Sequence, residues 1–455
     1  MSENLKTFSF FIIIAALCTV PYLNKKVKKG MEAVHSESEN ARELYTGKTR
    51  AVYNPLDTAY VVTDKLKQLI IREDVQHFTS YKKWPVVSIW MDPRDLHDET
   101  RGLFKNTDKK GRLWERASHF NYYENGTKKF SSFAGVRIHG GASRGAKTLK
   151  SLRFYFRKTY GEDSFLKDLD ISLAPDIPIK RLVLRRDTVY HFANHFSYKM
   201  IQSLGGMAPN LKHVAVYING EFFQFMQMQE QLHEEQARYF YGHDHFLYYK
   251  LKGNNPVRDR LLYENAIHLV KGSSSPISLE KMNKLFDLEN VTANILTITY
   301  FAMYDWAQGV WTKDLESPDG KWRLISWDFD FAFTNLTREK KKPRQKAWEM
   351  DGFNVSLNHH DASLRSRLFN RLIKESPEYR KYFGQQVDKL FDDVLNEEFL
   401  TKQFAEYEEL AKDTSNNEHM LKSIQAMKDF IKYRKPFFCQ QMQSAIGFKA
   451  STCSI

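Results

Sequence analysis

GVRIHGGASRGAKTLKSLRFYF, residues Gly135–Phe156, reads as two strands joined by a basic, glycine-rich loop. The flanking runs GVRIHG and SLRFYF (Ser151–Phe156) carry the β-branched and aromatic residues that suit a pleated, half-buried surface. The loop decides between two fold classes. Gly140 and Gly145 have the spacing of a P-loop, but Ala146 stands where that motif needs its lysine, and no amphipathic helix follows. A Walker A site is therefore rejected. The loop still fits either a solvated basic turn or a close approach to phosphate, with Arg144 and Lys147 beside it.

Further strands are predicted at PVVSIW (Pro85–Trp90) and RLVLR (Arg181–Arg185). HVAVYING followed by EFFQFMQMQE is a hairpin whose turn is Asn219-Gly220. A second hairpin turns at Pro318-Asp319-Gly320 and leads into LISWDFDFAFTN, Leu324–Asn335. Apolar spacing predicts helices over Leu279–Phe286 and Val291–Trp306. Beyond Asp361, apolar residues recur at three and four through Leu368, Leu372, Tyr379, Phe383, Val387 and Leu390, with helices to about Met442. Strands first and helices last is an α+β order.

The chain has 455 residues, 42% hydrophobic and 14% aromatic, enough for an ample core. A net charge of +13 points to polyanionic partners without choosing among nucleotides, nucleic acid and lipid head groups. The basic residues are spread along the chain and form no recognisable nucleic-acid module, so no nucleic-acid partner is expected. Cys18, Cys439 and Cys453 have no zinc spacing, and a Cys439–Cys453 bridge is the one pairing that the late cysteines allow. His243-Asp244-His245 and His359-His360-Asp361 lack further ligands at fixed spacing and read as loop residues.

Phe8–Leu23 is uncharged and mostly apolar, and as a helix spans roughly 24 Å, slightly short of a hydrocarbon core. An uncleaved membrane anchor, giving a single-pass protein, is favoured over a cleaved signal segment, whose one near match to a cleavage site, Ala16-Leu17-Cys18, falls early in the run. Lys25, Lys26, Lys28 and Lys29 follow the run while only Lys6 precedes it, a bias toward the cytoplasmic face that leaves the cell envelope open. The organisation is thus an anchor over 1–29, a polar stalk over 30–83, a folded domain over 84–442 and a tail over 443–455.

Several residues fit chemistry. Asp328 and Asp330 sit two apart on a strand pattern, which puts both carboxylates on one face. Such a pair marks either an exposed strand end or a divalent cation held by oxygen and shared with phosphate. Lys150 opens the strand after the glycine-rich loop, where an ammonium can reach phosphates if an acid holds its stem, and Glu230 at the end of the hairpin is placed to do so. Asp305, in YFAMYDWAQGVW, closes the predicted helix at the unfavourable end of its dipole, as an exposed acid or as a base near a substrate hydroxyl.

These pieces together resemble the CotH-type atypical protein kinases, the spore coat protein H-like family. The resemblance runs from about Pro85 to Arg434 through PVVSIWMDPRDLHDETRGLF, GRLWERASHF, GVRIHGGASRGAKTLKSLRFYF, LVLRRD, VAVYINGEFFQFMQMQEQ and LISWDFDFAF. It implies a remote, minimal protein-kinase-like fold and an ATP-dependent phosphotransferase with Mg²⁺ or Mn²⁺, acting on a protein or, less readily, a glycan. Lys150, Arg137, Arg144 and Glu230 would then serve the nucleotide, with the Asp187 segment shaping its site, Asp328 and Asp330 the metal, and Asp305 catalysis. The family often has an asparagine after the catalytic acid; here Trp306, Ala307, Gln308, Gly309 and Val310 follow, and Gln308 is the substitute metal ligand. Without such a ligand the resemblance implies a degenerate kinase, a non-catalytic envelope or coat assembly protein.

Overall fold

Seven strands close into a barrel in the order β1-β2-β3-β4-β5-β7-β6. They are β1 (Val86–Trp90), β2 (Arg116–Glu124), β3 (Thr127–His139), β4 (Ser151–Tyr155), β5 (Arg181–Arg185), β6 (Leu211–Ile218) and β7 (Glu221–Glu230). The computed structural model describes residues 64–71, 83–145, 150–161, 169, 171, 178–186, 190–251, 253–272, 276–303, 308–335, 346–358, 364–414 and 417–453, all within one unit, Leu56–Ile455. Neighbouring strands are antiparallel apart from β1 and β6, whose parallel pairing closes the barrel.

Alternation along each strand sorts the side chains. Val136 and Ile138, Leu152 and Phe154, Leu182 and Leu184, and Met226 and Met228 fill the barrel. By the same pleat and register the outer face of β3, β4 and β5 carries Arg137 and His139, Arg153 and Tyr155, and Arg181 and Arg185. The β6–β7 hairpin turns as its sequence demands. Asn219 and Gly220 both have left-handed backbones, φ 52° and 85°, in the two-residue turn between the paired Ile218 and Glu221.

A second sheet of order β10-β9-β8 is built from β8 (Phe246–Lys250), β9 (Gln308–Asp314) and β10 (Arg323–Trp327). The helix Leu288–Tyr300 is buried along its length except at Glu289, and the helices Gly352–Asn358, Leu364–Glu375 and Pro377–Lys389 pack on it. The α+β order therefore holds, with strands toward the N-terminus and helices toward the C-terminus. Closure of the strands into a barrel was not expected, because the β1–β6 pairing joins distant parts of the chain.

One expectation changes at the end of a helix. The helix expected to reach Trp306 stops at Tyr300. Met303 N–H bonds the Ile298 carbonyl at 3.0 Å and Ala302 N–H that of Thr299 at 3.1 Å, a terminating motif with Ala302 in the left-handed region at φ 49°. Asp305 lies outside the described residues. Within the span read as a polar stalk, the helix Asp64–Ile71 buries Leu66 against Trp90, Ala117 and Tyr160. The late cysteines do bond: Cys439 and Cys453 have Cα atoms 5.4 Å apart. Asp388 also holds this tail through the Thr452 N–H and hydroxyl, both at 2.8 Å. Among the described residues no helix is long and apolar enough to cross a membrane; the anchor proposed at Phe8–Leu23 lies outside them.

Candidate active site

Strand β10 ends at Trp327, and Asp328 turns out of it with φ 75°. The two acids therefore converge through a turn instead of by strand alternation. Phe329 is fully buried between them and packs edge-on to Tyr198. Its N–H bonds Asn194 Oδ1 at 2.7 Å, and the Asp328 N–H bonds the Tyr198 hydroxyl at 3.2 Å, so the helix Ala193–Ser203 pins the turn. Arg185, Gln308 and Asn194 reach the carboxylates. Arg185 Nη2 donates to Asp328 Oδ1 and to Asp330 Oδ2, the latter at 2.6 Å. Gln308 Nε2 meets Asp328 Oδ2 at 2.6 Å, and Asn194 Nδ2 meets Asp330 Oδ1 at 2.5 Å. Burial alone would lower the Arg185 pKa; Asp330 and Asp328 outweigh it and hold the guanidinium charged well above its usual range.

Beside this pair lies a cation-rich face. The Arg137, Arg157 and Arg181 guanidiniums stand 4.2, 4.8 and 5.8 Å from the centre of the Tyr155 ring. Arg153 Nε donates to His139 Nδ1 at 3.1 Å. Burial, then Arg153, Arg185 and Arg144, keep that imidazole neutral far below its usual range, consistent with its accepting role. Burial followed by Arg181, Lys250, Lys180 and Arg153 lowers His233 to about 3. Lys250 of β8 is itself lowered by burial and then by Arg153 and Arg181, with Glu234 pulling the other way. Among the described residues these cations act on one another.

Residues 136–438, more than half of the chain, match the CotH kinase protein family. The chain belongs to that family. No curated protein matches it. The match starts in β3 and covers the Asp328 turn, Arg185, Asn194 and the cationic face, whereas β1 and β2 precede it.

In this CotH chain the residues expected at the site are only partly together. Asp328, Asp330 and Gln308 converge. Lys150 immediately precedes β4, and its Nζ donates to the Arg144 carbonyl at 2.9 Å. Glu230 does not hold it. The register sets Glu230 opposite Leu182, which faces Phe154, four strand positions from Lys150. Arg137 is bound by the buried Glu115, through Nε at 2.8 Å. Arg144 is committed to main-chain carbonyls: Nε to Gly140 at 2.7 Å, Nη1 to Thr107 and Lys109 at 2.9 Å each, and Nη2 to Ile138. It shapes the loop, with four of its five N–H groups on carbonyls. Asp187 and Asp305 lie outside the described residues. Sequence reading missed Arg185, Asn194, Arg153 and Lys250. Arg185 had a signal, its place in LVLRRD, but nothing in the sequence pairs it with Asp328.

Two carboxylates and an adjacent amide are hard oxygen-bearing groups of the kind that Mg²⁺ and Mn²⁺ take. Among the described residues no group of three or more His, Cys, Asp or Glu gathers, so an ion here would complete its shell with phosphate or water oxygens. The residues fit a metal shared with a nucleotide, and not a closed all-protein site.

Proposed function

We propose that this CotH family member is an ATP-dependent phosphotransferase acting on protein, with a glycan the less favoured acceptor, on a kinase-like scaffold tethered to a membrane through Phe8–Leu23. The observation that carries the proposal is an acidic pair in direct contact with a cation-rich face. Polyphosphate with a bound divalent ion has the complementary pattern of charge, negative oxygens toward the arginines and a cation toward the acids. Asp328 and Asp330 would hold Mg²⁺ or Mn²⁺, with Gln308 beside them; the ion when bound offsets charge developing on the transferred phosphoryl group. Arg153, Arg181 and Lys250 are the cations placed to meet phosphate oxygens. Asp305 is assigned the acceptor hydroxyl as base, and Lys150 a supporting role at the loop.

A second reading is a non-catalytic assembly protein that keeps the fold. Two observations favour it: Arg185 already occupies the acids as a counter-ion, and Arg144 is taken up by carbonyls. The experiment that separates the readings is transfer of labelled γ-phosphate from ATP, with Mn²⁺ and the full-length protein, to itself and to a panel of acceptor proteins. Transfer that disappears in Asp328→Asn supports the enzyme. ATP binding without transfer, or no binding at all, supports assembly.

A further inference from the structure

Arg185 and Arg144 are both partly buried arginines, but they are held differently. Every donor nitrogen of Arg144 has a carbonyl. Arg185 is held at one corner. Its hydrogen bonds among the described residues all run through Nη2, to Asp328 and to Asp330. This is a shared contact, not the two-pronged pairing that fixes an arginine on a carboxylate. The other carboxylate oxygens have amide partners, and Asn194 is anchored twice, through Asp330 and through the Phe329 N–H. A divalent ion bridging the acids would use the same oxygen lone pairs as Arg185 and would repel its positive charge at contact distance. The two cations exclude each other. Arg185 is also the last residue of β5, next to the face that carries Arg153 and Arg181, so the released side chain has a phosphate-binding direction in which to turn.

We propose that Arg185 is an exchangeable counter-ion: it offsets part of the charge of Asp328 and Asp330 until a divalent metal takes its place, and then turns its guanidinium toward the phosphates that arrive with the metal. The inference rests on reading the acidic pair as a cation site; it does not require phosphate transfer. It leaves the metal-free pair half neutralised, and it couples metal to nucleotide because phosphates give the displaced guanidinium a new partner.

The test is Mn²⁺ titration of the full-length protein and of Arg185→Gln, followed by electron paramagnetic resonance, first without nucleotide and then with ATP. Removal of the competing cation should tighten nucleotide-free Mn²⁺ binding by about tenfold or more, the scale on which one neighbouring cation biases a carboxylate. ATP should then strengthen Mn²⁺ binding less in the variant than in the parent. Unchanged or weaker Mn²⁺ binding by a folded Arg185→Gln protein overturns the proposal, as does an ATP effect of equal size in both. If the variant is unfolded without metal because its acids repel, Mn²⁺ should restore cooperative unfolding by circular dichroism, and failure to do so also counts against it. Tighter Mn²⁺ binding with no phosphate transfer by the parent would leave the exchange standing and remove the enzyme reading. Transfer by the parent with unaltered Mn²⁺ affinity in the variant would do the reverse.

Discussion

Two carboxylate–arginine clusters in this protein look alike and are built to opposite ends. At Glu115 one fully buried carboxylate accepts from Arg137, from Arg157 at 3.2 Å and from the Tyr160 hydroxyl at 3.2 Å. Gly135 makes room for it, since a Cβ there would stand 2.5 Å from Glu115 Oε1. Cations outnumber acids, and the cluster ties β2 to β3 and the chain after β4. At the Asp328 turn two carboxylates share the Arg185 guanidinium. Among the described ion pairs, acids outnumber cations there. The first arrangement has no use for a metal; the second is one that a divalent ion would suit. The balance of charge, more than the presence of an ion pair, separates scaffold from site.

That contrast can be tested in order of size. The largest effects belong to the acid-rich cluster and its neighbour. Asp328→Asn, whose side chain tolerates the left-handed backbone at this position, should abolish metal-dependent phosphate transfer. Asp305→Asn should slow transfer by about 10²–10⁴-fold while ATP affinity holds, the signature of a proton acceptor and not a ligand. Equal loss of binding in Asp305→Asn would move Asp305 into the metal set. Glu115→Gln should behave in the opposite manner. Leaving arginines without their buried acid should lower stability by about 3 kcal/mol in denaturant unfolding, with Mn²⁺ affinity unchanged in the folded protein. A Glu115→Gln protein that loses Mn²⁺ but not stability would erase the distinction. The smallest effect is expected for Lys150→Ala, which removes a bond to the Arg144 carbonyl: about 1 kcal/mol in stability and a weaker ATP effect than Asp328→Asn, read by calorimetry.

The sequence made the local pieces plain wherever chemistry was local. Asn219-Gly220 dictated its hairpin, and the spacing of Asp328 and Asp330 singled out the acids. Strand β2 escaped notice because RASHFNYYE mixes Ser118, His119 and Asn121 with its apolar residues; in the barrel these polar groups are buried and bonded, Ser118 to the Ala134 carbonyl and Asn121 to His119. Lys150 and Glu230 stand apart because register, set through the β4–β5 and β5–β7 pairings, cannot be read from spacing along one chain. Arg185 and Asn194 come from separate elements, and their contact with the acids exists only once the barrel and the helical half have folded together.

The central claim is that the Asp328–Asp330 cluster, and not the Glu115 cluster or the glycine-rich loop, is the cation site. Mn²⁺ binding in the presence of ATP, measured by electron paramagnetic resonance on the full-length protein, on Asp328→Asn and on Glu115→Gln, tests it most directly. The account predicts ATP-dependent Mn²⁺ binding by the parent and by Glu115→Gln, and its loss in Asp328→Asn with an unfolding transition close to that of the parent. Retention of ATP-dependent Mn²⁺ binding by a folded Asp328→Asn protein would contradict it.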